Sequence, residues 1–85
     1  MPEVKIYRTA WCPFCQRAEA LLDTKGIADL EIIDIEVQPG ARDKMIELTG
    51  RTSVPQIFIG DRHIGGCDDL HELQNKGELD ALLTG

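Results

Sequence analysis

Cys12 and Cys15, separated by Pro13 and Phe14, are the residues of this chain best suited to covalent chemistry. Two thiols at this spacing can exchange with a disulfide, or they can supply half of a metal site. Exchange is carried out by a thiolate, and a free cysteine with a pKa of about 8.5 is mostly protonated at neutral pH. Such a site therefore needs local positive potential. The start of a helix provides it, through unpaired backbone N–H groups and the helix dipole. A structural zinc ion normally takes four ligands. The further candidates, Cys67, His63 and His71, form no second C-x-x-C and no H-x₃₋₅-H pair. Redox chemistry is the expected role, and no metal site is expected.

The elements that must position these thiols follow from the surrounding pattern. Val4–Tyr7 is a short strand, interrupted at Trp11-Cys12-Pro13. Pro13 suits the first helical position, where a missing N–H costs nothing. Phe14, Ala18, Leu21 and Leu22 then recur at helical spacing up to about Lys25, and Gly26 stands where a helix C-terminal glycine belongs. Cys12 thus lies just before a helix, as the attacking thiol, and Cys15 in its first turn, as the resolving one. Leu30–Val37 reads as a second, mostly buried strand. After Gln38-Pro39-Gly40, the residues Met45, Ile46 and Leu48 mark a second helix ending near Gly50. Gln56–Ile59 and Arg62–Ile64 flank Gly60-Asp61 as a β-hairpin. Gly65-Gly66 breaks the last strand, and Cys67-Asp68-Asp69 opens a helix with acids in its first turn. Leu70 and Leu73 supply its core contacts and Gly77 ends it. Leu79, Leu82 and Leu83 form a last short helical turn. The expected fold is α/β, with the order βαβαββα, a four-stranded mixed sheet flanked by helices, and a right-handed parallel crossover between the first two strands.

Composition bounds the function. An 85-residue chain fits one domain, 1–85, and at 42% hydrophobic and 28% charged it reads as globular. Nine Lys and Arg against fifteen Asp and Glu give a net charge of -6. With no basic cluster, nucleic acid and anionic membranes are not expected partners. No secretory signal pattern opens the chain, and no apolar stretch approaches the ~20 residues of a membrane span. A soluble, cytoplasmic protein is expected. Three cysteines do not make a secreted disulfide framework.

Two further residues have more than one reading. Cys67 reads as a buried small hydrophobe or a helix N-cap. Pro55, after the β-branched Val54, is either a strand-starting proline or a cis-proline beside the site. A cis bond would present the Val54 N–H and C=O to an extended, thiol-bearing peptide.

Cys12-Pro13-Phe14-Cys15, Thr52–Ile59 and Gly65–Leu70 together, in this order and spacing, resemble the dithiol glutaredoxins, most nearly the short bacterial glutaredoxin-3-like members. The resemblance covers essentially the whole chain. It implies a thioredoxin fold, a cis-Pro55, and glutathione as reductant with no tightly bound cofactor. It places the cysteine of glutathione against Val54 and Pro55. The γ-glutamyl carboxylate falls at the backbone N–H groups of Cys67 and Asp68, and Asp68 or Asp69 faces the amino group. Physical chemistry agrees, because glycines such as Gly65 and Gly66 before a helix let an anion approach its N–H groups closely. Arg42 matches one position that meets the glycine carboxylate of glutathione. A lysine common three residues before the first cysteine is here Thr9, and the adjacent Arg8 is its candidate replacement. Phe14 stands where a tyrosine is frequent, and Trp11 resembles the tryptophan that packs over the disulfide of thioredoxins.

The resulting expectation is a monomeric enzyme that reduces protein disulfides and glutathionylated proteins, with glutathione reductase acting indirectly. One alternative is a redoxin of the same fold fed by thioredoxin reductase, against which Asp68, Asp69 and Arg42 argue. Another is a [2Fe–2S] carrier bridged by two subunits, which Pro13 disfavours.

Overall fold

The computed structural model describes residues 2–27 and 29–84. Along the chain lie β1 (Val4–Arg8), α1 (Pro13–Thr24), β2 (Glu31–Asp34), α2 (Ala41–Thr49), β3 (Gln56–Ile59), β4 (Arg62–Gly65), α3 (Cys67–Asn75) and α4 (Leu79–Thr84). The strands form one sheet in the order β2-β1-β3-β4. β1 runs parallel to β2, with Ile6 opposite Ile32, and antiparallel to β3, with Ile6 opposite Ile57. β3 and β4 are the expected hairpin. Gly60 has φ of 60° at the first turn position, the positive value that a type II′ hairpin turn asks of that residue.

Alternation along the strands sorts their side chains onto two faces. Val4, Ile6, Ile57 and Ile59 pack with Ala18 and Leu22 of α1, Cys67 and Leu70 of α3, and Leu79 and Leu83 of α4. Tyr7, Ile33 and Ile35 pack on the other face with Ala41 and Met45 of α2. Helices therefore cover both faces, as the sequence implies. A nine-residue helix such as α3 is marginal on its own in water, where about 12–15 residues are needed. Its start is held in place by burial, at roughly 1.5–3 kcal/mol for each fully buried aliphatic side chain such as Leu70.

The second strand departs from its expected extent. It spans four residues, not Leu30–Val37, and as an edge strand it leaves Glu31 and Ile32 exposed. Asp34 ends it: its carbonyl accepts the N–H groups of Val37 and Gln38 at 3.2 and 2.9 Å, and its Oδ1 accepts that of Glu36 at 2.9 Å. This closes a turn in place of further ladder. Leu48, one of the residues that mark α2, is 45% exposed.

Candidate active site

Cys12 is the N-cap of α1, with extended φ and ψ of -90° and 111° and Pro13 as the first helical residue. Its Sγ accepts the Cys15 N–H at 3.2 Å, so the first turn of the helix directs a donor at the sulfur where negative charge resides in a thiolate. Protonated, the same sulfur donates to the Val54 carbonyl at 3.7 Å. One atom thus joins the helix start to the loop before β3, and the Val54–Pro55 bond in that loop is cis.

Cys15 lies in a different environment. It is fully buried, and its thiol is pushed up to about 12 by burial first and by its hydrogen bond with Cys12 second. It therefore keeps its proton at neutral pH while Cys12, partly exposed, is the sulfur that a substrate can reach. The structure thus brings the two cysteines together and leaves one partly exposed and the other buried.

A groove of about 240 Å³ runs from Phe14 past Ser53, Val54, Pro55 and Gln56 to Gly66–Asp69, with Arg51 on its edge. Gly65 has φ of 118°, and a Cβ there would collide with the Asp69 carboxylate. A Cβ on Gly66 would lie in contact with the Pro55 carbonyl, 3.4 Å away. Gly65 makes room for Asp69, and Gly66 is where the helix start meets the cis-proline loop. Asp69 closes that start: its Oδ2 accepts the Gly66 N–H at 2.9 Å and Arg51 Nη1 at 3.3 Å. The Gly66 bond, followed by Arg51, holds its carboxyl below the usual 3.8. Asp68, by contrast, is exposed at the lip of the groove. Burial pushes the Cys67 thiol up against the opposing pull of Arg17. Cys67 is the first residue of α3 and packs in the core; Gly66 is the N-cap.

The basic residues lie in separate places. Arg42 is exposed on α2 and lines a separate depression with Ile35–Gly40 and Asp43, not the groove. Arg8 points toward α1, with Nε 3.9 Å from Glu19. Arg51, which carried no signal in the sequence, is the basic residue that reaches the groove. Trp11 is 85% exposed and does not pack over the cysteines as the thioredoxin tryptophan does, and Phe14 is 52% exposed. Among the described residues no cluster of three or more His, Cys, Asp and Glu side chains could hold a metal ion.

A mixed four-stranded sheet with helices on both faces, carrying a C-x-x-C at the start of its first helix opposite a cis-proline, defines a thiol–disulfide oxidoreductase of the thioredoxin fold. The glutaredoxin family model matches residues 4–64. A glutaredoxin of Pseudomonas aeruginosa is 52% identical over 99% of both chains. Glutaredoxin 3 of Escherichia coli K12 is 51% identical over 98% of this chain and 99% of its own. The protein belongs to the glutaredoxin family. Solved structures agree. The glutaredoxin of Brucella melitensis superposes with a TM-score of 0.83 at 51% identity, over 98% of this chain and 89% of that one. A buckwheat glutaredoxin–glutathione complex superposes with a TM-score of 0.88 at 30% identity, over 98% and 77%.

Proposed function

We propose that residues 1–85 form one glutaredoxin unit that reduces protein disulfides and protein–glutathione mixed disulfides in the cytoplasm, as a monomer, with glutathione as reductant. The observation that carries this reading is the groove beside Cys12, which offers an exposed carboxylate at Asp68, helix-start N–H groups and a basic edge at Arg51 within reach of one sulfur. That set complements a zwitterionic tripeptide, in keeping with its likeness to a buckwheat glutaredoxin solved as a glutathione complex. No helix among the described residues is long and apolar enough to cross a membrane.

At about 240 Å³ the groove is below the roughly 300–1,000 Å³ of enclosed small-molecule sites. Glutathione lies across it, its disulfide sulfur over Cys12 and its backbone against Val54. The engagement of Asp69 by Gly66 and Arg51 leaves Asp68 to meet the ligand's amino group. Arg51 takes the contact with a ligand carboxylate in preference to Arg42 or Arg8.

The Cys12 thiolate attacks the glutathione sulfur of a glutathionylated protein. A Cys12–glutathione disulfide forms and the protein thiolate leaves. A second glutathione thiolate then attacks, releasing glutathione disulfide and restoring Cys12. With a protein disulfide the mixed disulfide is resolved by Cys15, whose sulfur bonds to Cys12 as its proton passes to the departing substrate thiolate. Two glutathiones return the Cys12–Cys15 disulfide to the dithiol. Rates follow the thiolate fraction of the attacker and the acidity of the leaving thiol.

The test compares turnover on glutathione plus glutathione reductase with turnover on thioredoxin reductase. Glutathione-driven activity is expected for the wild type. It is expected to vanish in Cys12→Ser and, in Cys15→Ser, to persist only toward glutathionylated substrate. Turnover driven by thioredoxin reductase alone would overturn the reading.

A further inference from the structure

Gln56 is 1% exposed, a polar side chain at the start of an otherwise apolar strand. Its side chain lies on the α2 face of the sheet, as the pairing of Gln56 with Tyr7 requires. There its Nε2 donates to the Ser53 carbonyl at 3.0 Å, and its Oε1 meets His63 Nε2 of β4 at 2.7 Å. His63 is itself fixed by Phe58, with ring centroids 5.0 Å apart.

The chain of bonds has only one sense. A backbone carbonyl can only accept, so Gln56 must turn its NH₂ group to Ser53 and its oxygen to His63. His63 must then carry its proton on Nε2. The Ser53 carbonyl shares a planar trans unit with the Val54 N–H, and the two point in opposite directions. Holding the carbonyl toward the sheet core therefore aims the Val54 N–H the other way. Among the described residues that N–H meets no acceptor of the chain, while the Val54 carbonyl accepts Cys12 Sγ–H. A buried amide left unpaired would cost more than a single bond returns, so this orientation is strongly preferred.

We propose that Gln56 and His63 are positioning residues: a two-side-chain relay from β4 sets the Ser53–Val54 peptide plane and keeps the Val54 N–H open for the backbone of the incoming disulfide. The relay touches neither thiol. It acts on the capture of the substrate backbone, not on the nucleophilicity of Cys12. This inference rests on the reading above that a disulfide-bearing peptide lies along Val54.

The discriminating variant is Gln56→Glu, which keeps the shape and still accepts from His63 but cannot donate to the Ser53 carbonyl. His63→Leu removes the other end of the relay. The assay is reduction of a glutathionylated peptide, with the alkylation rate of Cys12 by iodoacetamide at pH 7 measured alongside. The expected result is a KM raised about 5- to 10-fold in Gln56→Glu, the scale of one lost buried hydrogen bond, and less in His63→Leu. Alkylation is expected to stay within about twofold, and His63→Gln, which restores a donor, to recover part of the KM. An unchanged KM in folded Gln56→Glu, or a parallel fall in Cys12 alkylation, overturns the relay. Nitrogen NMR of the wild type tests the same claim without a variant: neutral His63 protonated on Nε2 is expected, and protonation on Nδ1 overturns it. If the wild type itself shows no glutathione-dependent turnover, the functional reading fails instead, and the NMR result still decides the relay.

Discussion

Replacing Gly65 by alanine should damage the groove and the stability of the fold together, for a reason confined to one contact. The added Cβ would run into the carboxylate of Asp69, at a backbone φ of 118° that side-chain-bearing residues rarely adopt. Holding a non-glycine residue in such a region costs of order 1–3 kcal/mol. Relief by rotating Asp69 away breaks its bond to the Gly66 N–H and leaves the start of α3 uncapped, at about 0.5–2 kcal/mol. The Arg51 contact is lost as well, but it is half exposed and contributes at most about 1 kcal/mol. Together these reach about 1.5–6 kcal/mol, a large share of the roughly 5–15 kcal/mol by which small domains are stable. Urea unfolding followed by circular dichroism measures it, and Asp69→Asn serves as the control. Asparagine can still accept the Gly66 N–H, so that variant should lose only the ionic part, on the order of 1 kcal/mol or less. A Gly65→Ala protein within about 0.5 kcal/mol of the wild type, the range of an inert surface change, would refute the argument.

Two more outcomes follow from the titrating groups. Iodoacetamide at pH 7–8 should modify one cysteine in the native reduced protein, Cys12, and mass spectrometry should find Cys15 and Cys67 unmodified. Burial pushes both of those thiols up, Cys15 to about 12. Stability should also fall in two separate steps on acidification. His63 is lowered from its ordinary 6.5, by burial first and then by Arg51, so just below that pH the unfolded chain binds more protons than the folded one. Stability is then lost as the pH drops from about 6.5 toward the folded value, and His63→Leu should remove this step. Asp69 is likewise lowered, from 3.8, chiefly by the Gly66 N–H. Its contribution is complete above that value and disappears as the pH falls through the lower folded one, a step that Asp69→Asn should erase.

Much of the site is legible in the sequence because its parts are local. Cys12, Pro13 and Cys15 define a strand-to-helix turn within a few residues, and Gly65–Asp69 defines the start of a helix. Both predictions depend only on backbone rules and hold in the structure. What the sequence leaves open depends on the third dimension. The exposure of β2 follows from its place at the sheet edge, and strand order is not written in the Ile-rich run of Leu30–Val37. Arg8, Arg42 and Arg51 are alike as residue types; sheet pleat turns Arg8 to Glu19, while the loop after α2 leaves Arg51 at the groove. The Gln56–His63 contact joins residues seven apart across a hairpin with an irregular register between Ile57 and Phe58. Its one trace in the sequence is a glutamine in a strand that is otherwise apolar.

Cys12 is the attacking sulfur of the proposed cycle, and the most direct measurement traps it. The Cys15→Ser variant, mixed with a glutathionylated peptide and quenched in acid, should carry one glutathione, located on Cys12 by peptide mapping, with release of the free peptide thiol. Glutathione found on Cys67, or a variant that releases the peptide thiol without acquiring any adduct at Cys12, would contradict the account.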